Sequence, residues 1–97
     1  MDLNSIKSFV KDYVKKNGLI EVRYVKVREV EGVKGQSMVL IGIYLDKPMK
    51  FDALMGLLNG LTALIGAGER WIYAPHGKEI RLMIAQSTAP STYRGRG

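Results

Sequence analysis

The first residues of the chain follow the period of an amphipathic helix. Apolar side chains recur at steps of three and four, and lysines occupy positions between them, as in a helix with one side on a core. The apolar positions are Leu3, Ile6, Val10, Tyr13 and Val14. Asp2 or Asn4 is placed to cap the start of this helix, and Asn17 and Gly18 suit its end.

Two strands are predicted between residues 19 and 45. Apolar residues alternate after residue 19, with Ile20, Val22 and Tyr24 on the core side, but Val25 and Val27 then continue that set. A β-bulge near Tyr24 and Val25 would restore the alternation. The opposite face of this strand then carries a mostly basic strip, which consists of Glu21, Arg23, Lys26 and Arg28. Residues 32–36 predict a hairpin loop, and residues 38–45 are apolar on both faces, as in a central strand.

A second helix, predicted over residues 49–67, carries a stripe of small side chains at steps of three and four. The stripe consists of Ala53, Gly56, Gly60, Ala63 and Ala67. Each glycine costs a helix about 1 kcal/mol relative to alanine, so we expect a close backbone contact in compensation. We favour a homodimer or higher oligomer through this stripe, with close packing inside one chain as the alternative. The uncharged part of the helix is too short to span a bilayer, and we expect no membrane partner.

The last regular segment, residues 69–86, predicts a β-hairpin. Ala74, Pro75, His76 and Gly77 supply the residues of a turn, and pairing of Ala74 with Lys78 would place Trp71 opposite Arg81. Ile72, Ile80, Leu82 and Ile84 would then point to the core. The opposite face would carry Trp71, Tyr73, Arg81 and Met83.

These elements predict an α+β fold with the order α-β-β-α-β-β. We expect residues 1–86 to form a single domain, in which both helices cover one face of a four-stranded, mainly antiparallel sheet. Residues 87–97 contain Tyr93, Arg94 and Arg96 but no carboxylate and no large aliphatic side chain. They predict a disordered basic tail, whose alternatives are contact with a polyanion and a terminus without a role.

Charge adds a preference for anionic partners. The formal net charge is +6 over 97 residues, with the excess at both ends of the chain. The lysines of the first helix are interpreted as a solubilising face, with a nucleic-acid contact as the alternative. The chain has no cysteine and no apolar leader at its start, so we expect a cytoplasmic protein.

The predicted outer face of the sheet combines aromatic and basic side chains. Rings stack on unpaired bases while lysine and arginine follow phosphates, which is how single-stranded nucleic acid is bound. The candidate binding residues are Trp71, Tyr73, Arg81, Arg23, Lys26, Arg28, Tyr93, Arg94 and Arg96. The alternative for the rings is packing beneath a loop or in a subunit interface.

The sequence shows no arrangement of residues that is typical of a catalytic site. His76 is the only histidine and lies in a predicted turn, and the carboxylates are dispersed along the chain. Neither an acid and base pair nor a metal-ligand cluster is evident. We therefore expect no enzyme, no cofactor, no metal and no small-molecule substrate.

Residues 3–86 resemble the small archaeal single-stranded DNA-binding proteins related to ThermoDBP. The shared features are the size, the excess of basic residues, the order of elements and the aromatic and basic sheet face. The resemblance is one of organisation, and no site residue is carried over from it. It implies an archaeal, sequence-independent binder of single strands that acts as a dimer or higher oligomer. The expected function is binding of single-stranded DNA or RNA without strong sequence preference. The alternative is a dimeric scaffold that holds protein partners.

Overall fold

The computed structural model describes residues 2–32, 35–66 and 68–86. Two helices and four strands form the predicted α-β-β-α-β-β order, and the sheet has the strand order β1-β2-β4-β3 with antiparallel neighbours. The α+β prediction is therefore confirmed. The elements are α1 (Leu3–Lys16), β1 (Val22–Glu31), β2 (Ser37–Leu45), α2 (Phe51–Ile65), β3 (Arg70–His76) and β4 (Glu79–Ala85). The predicted tail, with Tyr93, Arg94 and Arg96, lies outside the described residues.

Asp2 is the cap of α1. Its carboxylate accepts hydrogen bonds from the Asn4 and Ser5 amides at 3.0 and 3.4 Å and from the Ser5 hydroxyl at 2.7 Å. The bonds from Ser5 lower the pKa of Asp2, since they favour the ionised form. Asn17 ends the helix, with its side-chain amide donating to the Tyr13 carbonyl. Ile6 and Val10, on the apolar side of α1, are buried in the core.

The core lies between the two helices and one face of the sheet. β2 and β4 are the two most buried strands, because each has a neighbouring strand on both sides. Val39, Ile41 and Ile43 are fully buried, and Leu57 and Leu61 of α2 meet them in the same cluster. Within the described residues, no helix is long and apolar enough to cross a membrane.

The bulge in β1 lies between Val22 and Tyr24. It comes earlier than predicted, so Tyr24 pairs with Tyr44 on the face away from the helices and does not join the core. Arg23 becomes the additional residue of the bulge. Ile20, which we also expected on the core side, precedes the strand and is 77% exposed.

The β3–β4 hairpin is tighter than predicted. His76 pairs with Glu79 across Gly77 and Lys78, and Trp71 lies opposite Met83 instead of Arg81. The shift is two residues, so every side chain keeps its predicted face. Pro75 is accommodated because β3 is an edge strand with an irregularity between Tyr73 and His76, where a missing N–H disrupts no central pairing.

Ile72 lies on the helix face of β3 but outside the core. It pairs with the fully buried Leu82 and is nevertheless 45% exposed. The cause is the position of α2, which contacts β4 but does not cover the edge strand. The prediction that Ile72 is a core residue is therefore wrong.

The small-residue stripe of α2 packs against α1. A Cβ at Gly56 would lie 2.5 Å from the Tyr13 hydroxyl, and one at Gly60 would lie 2.5 Å from Phe9 Cζ. The Tyr13 hydroxyl also donates to the Ala53 carbonyl at 2.8 Å. These contacts correct the expectation of a subunit interface at the two glycines, since a neighbouring helix of the same chain occupies the space. Ala63 of the stripe is exposed, and Ala67 lies outside the described residues.

A double-mutant cycle tests this helix contact. Gly60→Ala should lower the free energy of unfolding by about 1–3 kcal/mol, because its methyl group meets the Phe9 ring. In a Phe9→Ala background the same substitution should raise it by about 1 kcal/mol, because alanine is the better helix former. Urea denaturation of the four proteins measures both values.

Ala63→Gly is the matched control, because Ala63 is exposed on the same helix. It should cost about 1 kcal/mol in both backgrounds through helix propensity alone. An equal effect of Gly60→Ala with and without the Phe9 ring would contradict the contact.

Candidate nucleic-acid interface

Among the described residues, no element covers the sheet face away from the helices, and we call its three rows of paired side chains the open face. One row runs Lys26, Gly42, Arg81, Tyr73, and the second runs Arg28, Leu40, Met83, Trp71. The third runs Tyr24, Tyr44, Glu79, His76. Each row crosses all four strands, and the alternate residues of the same strands point into the core. The register of the sheet therefore gathers rings and cations onto one surface.

Gly42 creates a depression in the middle of the open face. Because it has no side chain, Lys26, Arg28 and Arg81 surround a hollow of about 290 Å³, together with Leu40, Tyr44 and Glu79. A Cβ at this position would lie 3.1 Å from the Glu79 carboxylate and 3.5 Å from the Tyr44 ring. The glycine thus leaves room both for the carboxylate and for a planar group from outside.

Glu79 is a buried carboxylate at the edge of this depression, and Arg81, His76 and Tyr44 lie against it. It is 3% exposed, and Arg81 donates from Nε to its Oε2 at 2.9 Å. His76 Nε2 lies 3.3 Å from Oε1, and Tyr44 also hydrogen-bonds to the carboxylate. The bond from Arg81 holds the pKa of Glu79 below its ordinary value. Burial and the bond to Glu79 raise the pKa of Tyr44.

Arg81 is consequently committed to protein partners. Besides Glu79, its guanidinium donates to the Tyr73 hydroxyl at 3.3 Å and lies 5.9 Å from the centre of that ring. Lys26 and Arg28 differ, because no carboxylate of the described residues forms an ion pair with either. These two side chains are the cations of the open face that remain available to an anionic ligand.

Two aromatic clusters flank the depression. The rings of Tyr24 and Tyr44 stack with centroids 4.4 Å apart and planes 11° apart, and Lys26 Nζ lies 5.8 Å from the Tyr44 centroid. On the other side, Trp71 and Tyr73 line a second hollow of about 500 Å³ with Met38 and Met83. Trp71 and Tyr73 are 41% and 42% exposed, so both rings offer a face to a ligand.

Five of the predicted binding residues share this surface. Lys26, Arg28, Trp71, Tyr73 and Arg81 all lie on the open face. Arg23 does not, because the bulge turns it toward α1 and into a 3.8 Å ion pair with Asp46. The prediction that Arg23 shares the strip is therefore wrong.

The tyrosine pair and the residues around Gly42 are functional candidates that were not predicted from the sequence. Tyr24 follows the same alternation as Lys26 and Arg28, which is the signal that would have placed it on the open face once the bulge was set before it. Glu79 and Arg81 are two residues apart in one strand, a spacing that puts both on one side. Among the described residues, no group of three or more histidine, cysteine or carboxylate side chains could hold a metal ion.

Comparison of the chain with protein-family models, curated proteins and solved structures finds no match. The resemblance to archaeal single-strand binders thus stays a prediction, and the candidate site stands on its geometry.

The compensated carboxylate predicts a pH dependence of folding. The folded-state pKa of Glu79 is depressed below 4.5, so its contribution to stability is present above that pH and is lost as the pH falls through the folded-state value. Glu79→Gln should lower the free energy of unfolding at neutral pH and reduce the loss of that free energy as the pH falls below 4.5. Urea denaturation as a function of pH measures the slope, with the exposed Glu69→Gln as control. Identical slopes for the native chain and Glu79→Gln would show that the carboxylate is not stabilised by its neighbours.

Proposed function

We propose that the protein binds single-stranded DNA or RNA on the open face, without strong sequence preference. The observation that carries the proposal is the mixture of exposed rings with cations that form no ion pair among the described residues, in adjoining rows of the open face. Bases of any sequence present a π-face to such rings, while phosphates attract the cations. The binding is therefore expected to tolerate changes of sequence and to weaken with salt.

In this proposal, different parts of a nucleotide contact different residues of the open face. Trp71 and Tyr73 offer ring faces for bases beside the second hollow. Lys26 and Arg28 are the expected phosphate contacts, while Arg81 positions the Tyr73 ring and neutralises Glu79. The four strands, at about 4.8 Å spacing, give a width of roughly 14 Å. A surface of this width takes about two or three bases, as sheet-based single-strand binders do.

A duplex fits this surface poorly. Paired bases are stacked on each other and cannot lie on Trp71 or Tyr73. Readout of the major groove requires a protruding helix or ribbon, whereas both helices here pack on the other face of the sheet. We therefore expect duplex of matching length to bind more weakly than single strands.

A second candidate function is a protein-interaction module, and the edge strand favours it. All seven residues of β3 are exposed, and Ile72 presents a branched aliphatic side chain beside an edge that no other described strand pairs with. An exposed edge can pair with a strand of another chain, including a second copy of this protein. A homodimer remains part of this proposal, with the edge strand instead of the α2 glycines as its contact.

Trp71 provides a direct test of the nucleic-acid proposal, since it is the only tryptophan in the chain. Oligothymidylate should quench its fluorescence through stacking. Trp71→Ala should weaken binding by about 1–3 kcal/mol while leaving the salt dependence unchanged, because a ring displaces no counterion. Lys26→Gln with Arg28→Gln should instead reduce the slope of log K against log salt by about 1.4, at about 0.7 for each lost phosphate contact. Fluorescence anisotropy with labelled oligonucleotide measures affinity and slope.

Phe51→Ala is the matched aromatic control, because Phe51 is 70% exposed at the start of α2 and lies off the open face. It should leave affinity unchanged. If Trp71→Ala folds normally and binds single strands as tightly as the native chain, the open-face proposal is wrong. The protein-interaction module then becomes the better account.

A further inference from the structure

A second cationic surface lies outside the open face, between α1 and the edge strand β1. Lys7, Lys11 and Lys15 of α1 and Arg23 of β1 line a groove of about 450 Å³, which we call the lysine groove. Its remaining lining is Tyr24 and three valines, and no carboxylate of the described residues takes part in it. Arg23 forms an ion pair with Asp46 at 3.8 Å, which joins two exposed side chains and contributes little.

The three lysines form a regular row. They are four residues apart along α1, so their Cα atoms are spaced by about 6 Å along the helix axis and lie on one side of it. This spacing is comparable to the distance between successive phosphates of an extended single strand. A row of equally spaced cations above an uncharged floor therefore complements a phosphate backbone in both charge and repeat.

The lysine groove is continuous with the open face through Tyr24. The Tyr24 ring lines the lysine groove and stacks on the ring of Tyr44. Tyr44 in turn lines the central depression of the open face. β1 is an edge strand of the sheet, so among the described elements no further strand separates the two surfaces. Arg23, which the bulge removes from the open face, stands where a ligand would pass from one surface to the other.

We propose that the lysine groove binds the sugar-phosphate backbone of a strand that continues from the open face over the β1 edge. The inference rests on the proposed function, because it extends the same ligand. The bulge in β1 then has a role in binding, since it directs Arg23 into the path of the backbone. Bases are held on the open face, and the groove supplies charge to longer strands.

An anionic lipid surface is the other ligand that a lysine row suits, but the shape of the groove favours nucleic acid. A helix that binds a membrane surface presents a protruding apolar side to the lipid. Here the apolar residues form the floor beneath the lysines: Val25 is 8% exposed, and Val14 and Val22 are half-buried. The apolar side of α1 is already packed in the core through Ile6 and Val10.

The test compares short and long oligothymidylates, of about four and about twelve nucleotides, within the range of known single-strand sites. The groove variant combines Lys7→Gln, Lys11→Gln and Lys15→Gln, which keep helix propensity nearly constant. The control variant combines Lys16→Gln, Lys47→Gln and Lys50→Gln, which remove the same charge from exposed positions that line neither surface. Anisotropy measures affinity and salt slope for each full-length protein, and phosphatidylserine vesicles are titrated in parallel.

We expect the groove variant to bind the long strand at least about tenfold more weakly at low salt, with a slope reduced by about 2, from three contacts at about 0.7 each. Its affinity for the short strand should match that of the control. Equal loss in the groove and control variants, or equal loss for short and long strands, overturns the groove while leaving the open face intact. Vesicle binding that only the groove variant loses, with oligonucleotide binding unchanged, also overturns it in favour of lipid. If the native chain binds neither oligonucleotide, the proposed function fails, and the groove fails with it.

Discussion

Two aromatic rings of α1 lie over two glycines of α2, and this contact holds both helices on one face of the sheet. Any larger side chain at Gly56 or Gly60 would meet Tyr13 or Phe9. Close packing of the helices lets α1 contact β1 and α2 contact β4, so the core forms on one side only. The other side of the sheet is left without a covering element among the described residues. The open face thus follows from how the helices pack.

Some polar groups on the outer surface of the sheet are shielded from water, and these groups need partners within the protein. Glu79 is the buried charged residue of the described chain, and it is stable in that position because Arg81, Tyr44 and His76 surround it. A buried carboxylate without such partners would be costly. The compensation occupies Arg81 and leaves Lys26 and Arg28 as the cations of the open face that are available to a ligand. The buried Glu79 carboxylate therefore determines which cations of the open face have a structural role and which can bind a ligand.

Much of this arrangement is visible in the sequence, because it depends on periodicity. The order of elements, the central position of β2 and the outward face of Trp71 and Tyr73 all follow from the spacing of apolar residues along the chain. The two-residue error in the β3–β4 register did no harm to the faces, since side chains alternate with a period of two. A one-residue displacement is different: moving the bulge ahead of Tyr24 transferred that ring to the open face and Arg23 away from it.

Other features could not be obtained from local pattern. The stripe containing Gly56 and Gly60 indicates a close approach but carries no information about which surface approaches, and Phe9 and Tyr13 are over 40 residues away along the chain. Ile72 has the period of a core residue, yet its burial depends on how far α2 reaches over the sheet. Such properties depend on the relative placement of whole elements. The sequence therefore predicts which face of a helix or strand is apolar better than it predicts which element packs on that face.

The central claim, that ligands meet the protein on the open face, is tested most directly by a titration of isotope-labelled full-length protein with oligothymidylate, followed by amide chemical shifts. The account predicts that the largest shifts fall in all four strands, around Lys26, Gly42, Tyr73 and Arg81, and that amides in the middle of α2 remain unperturbed. Shifts confined to the β3 edge, or none at all at saturating oligonucleotide, would contradict it.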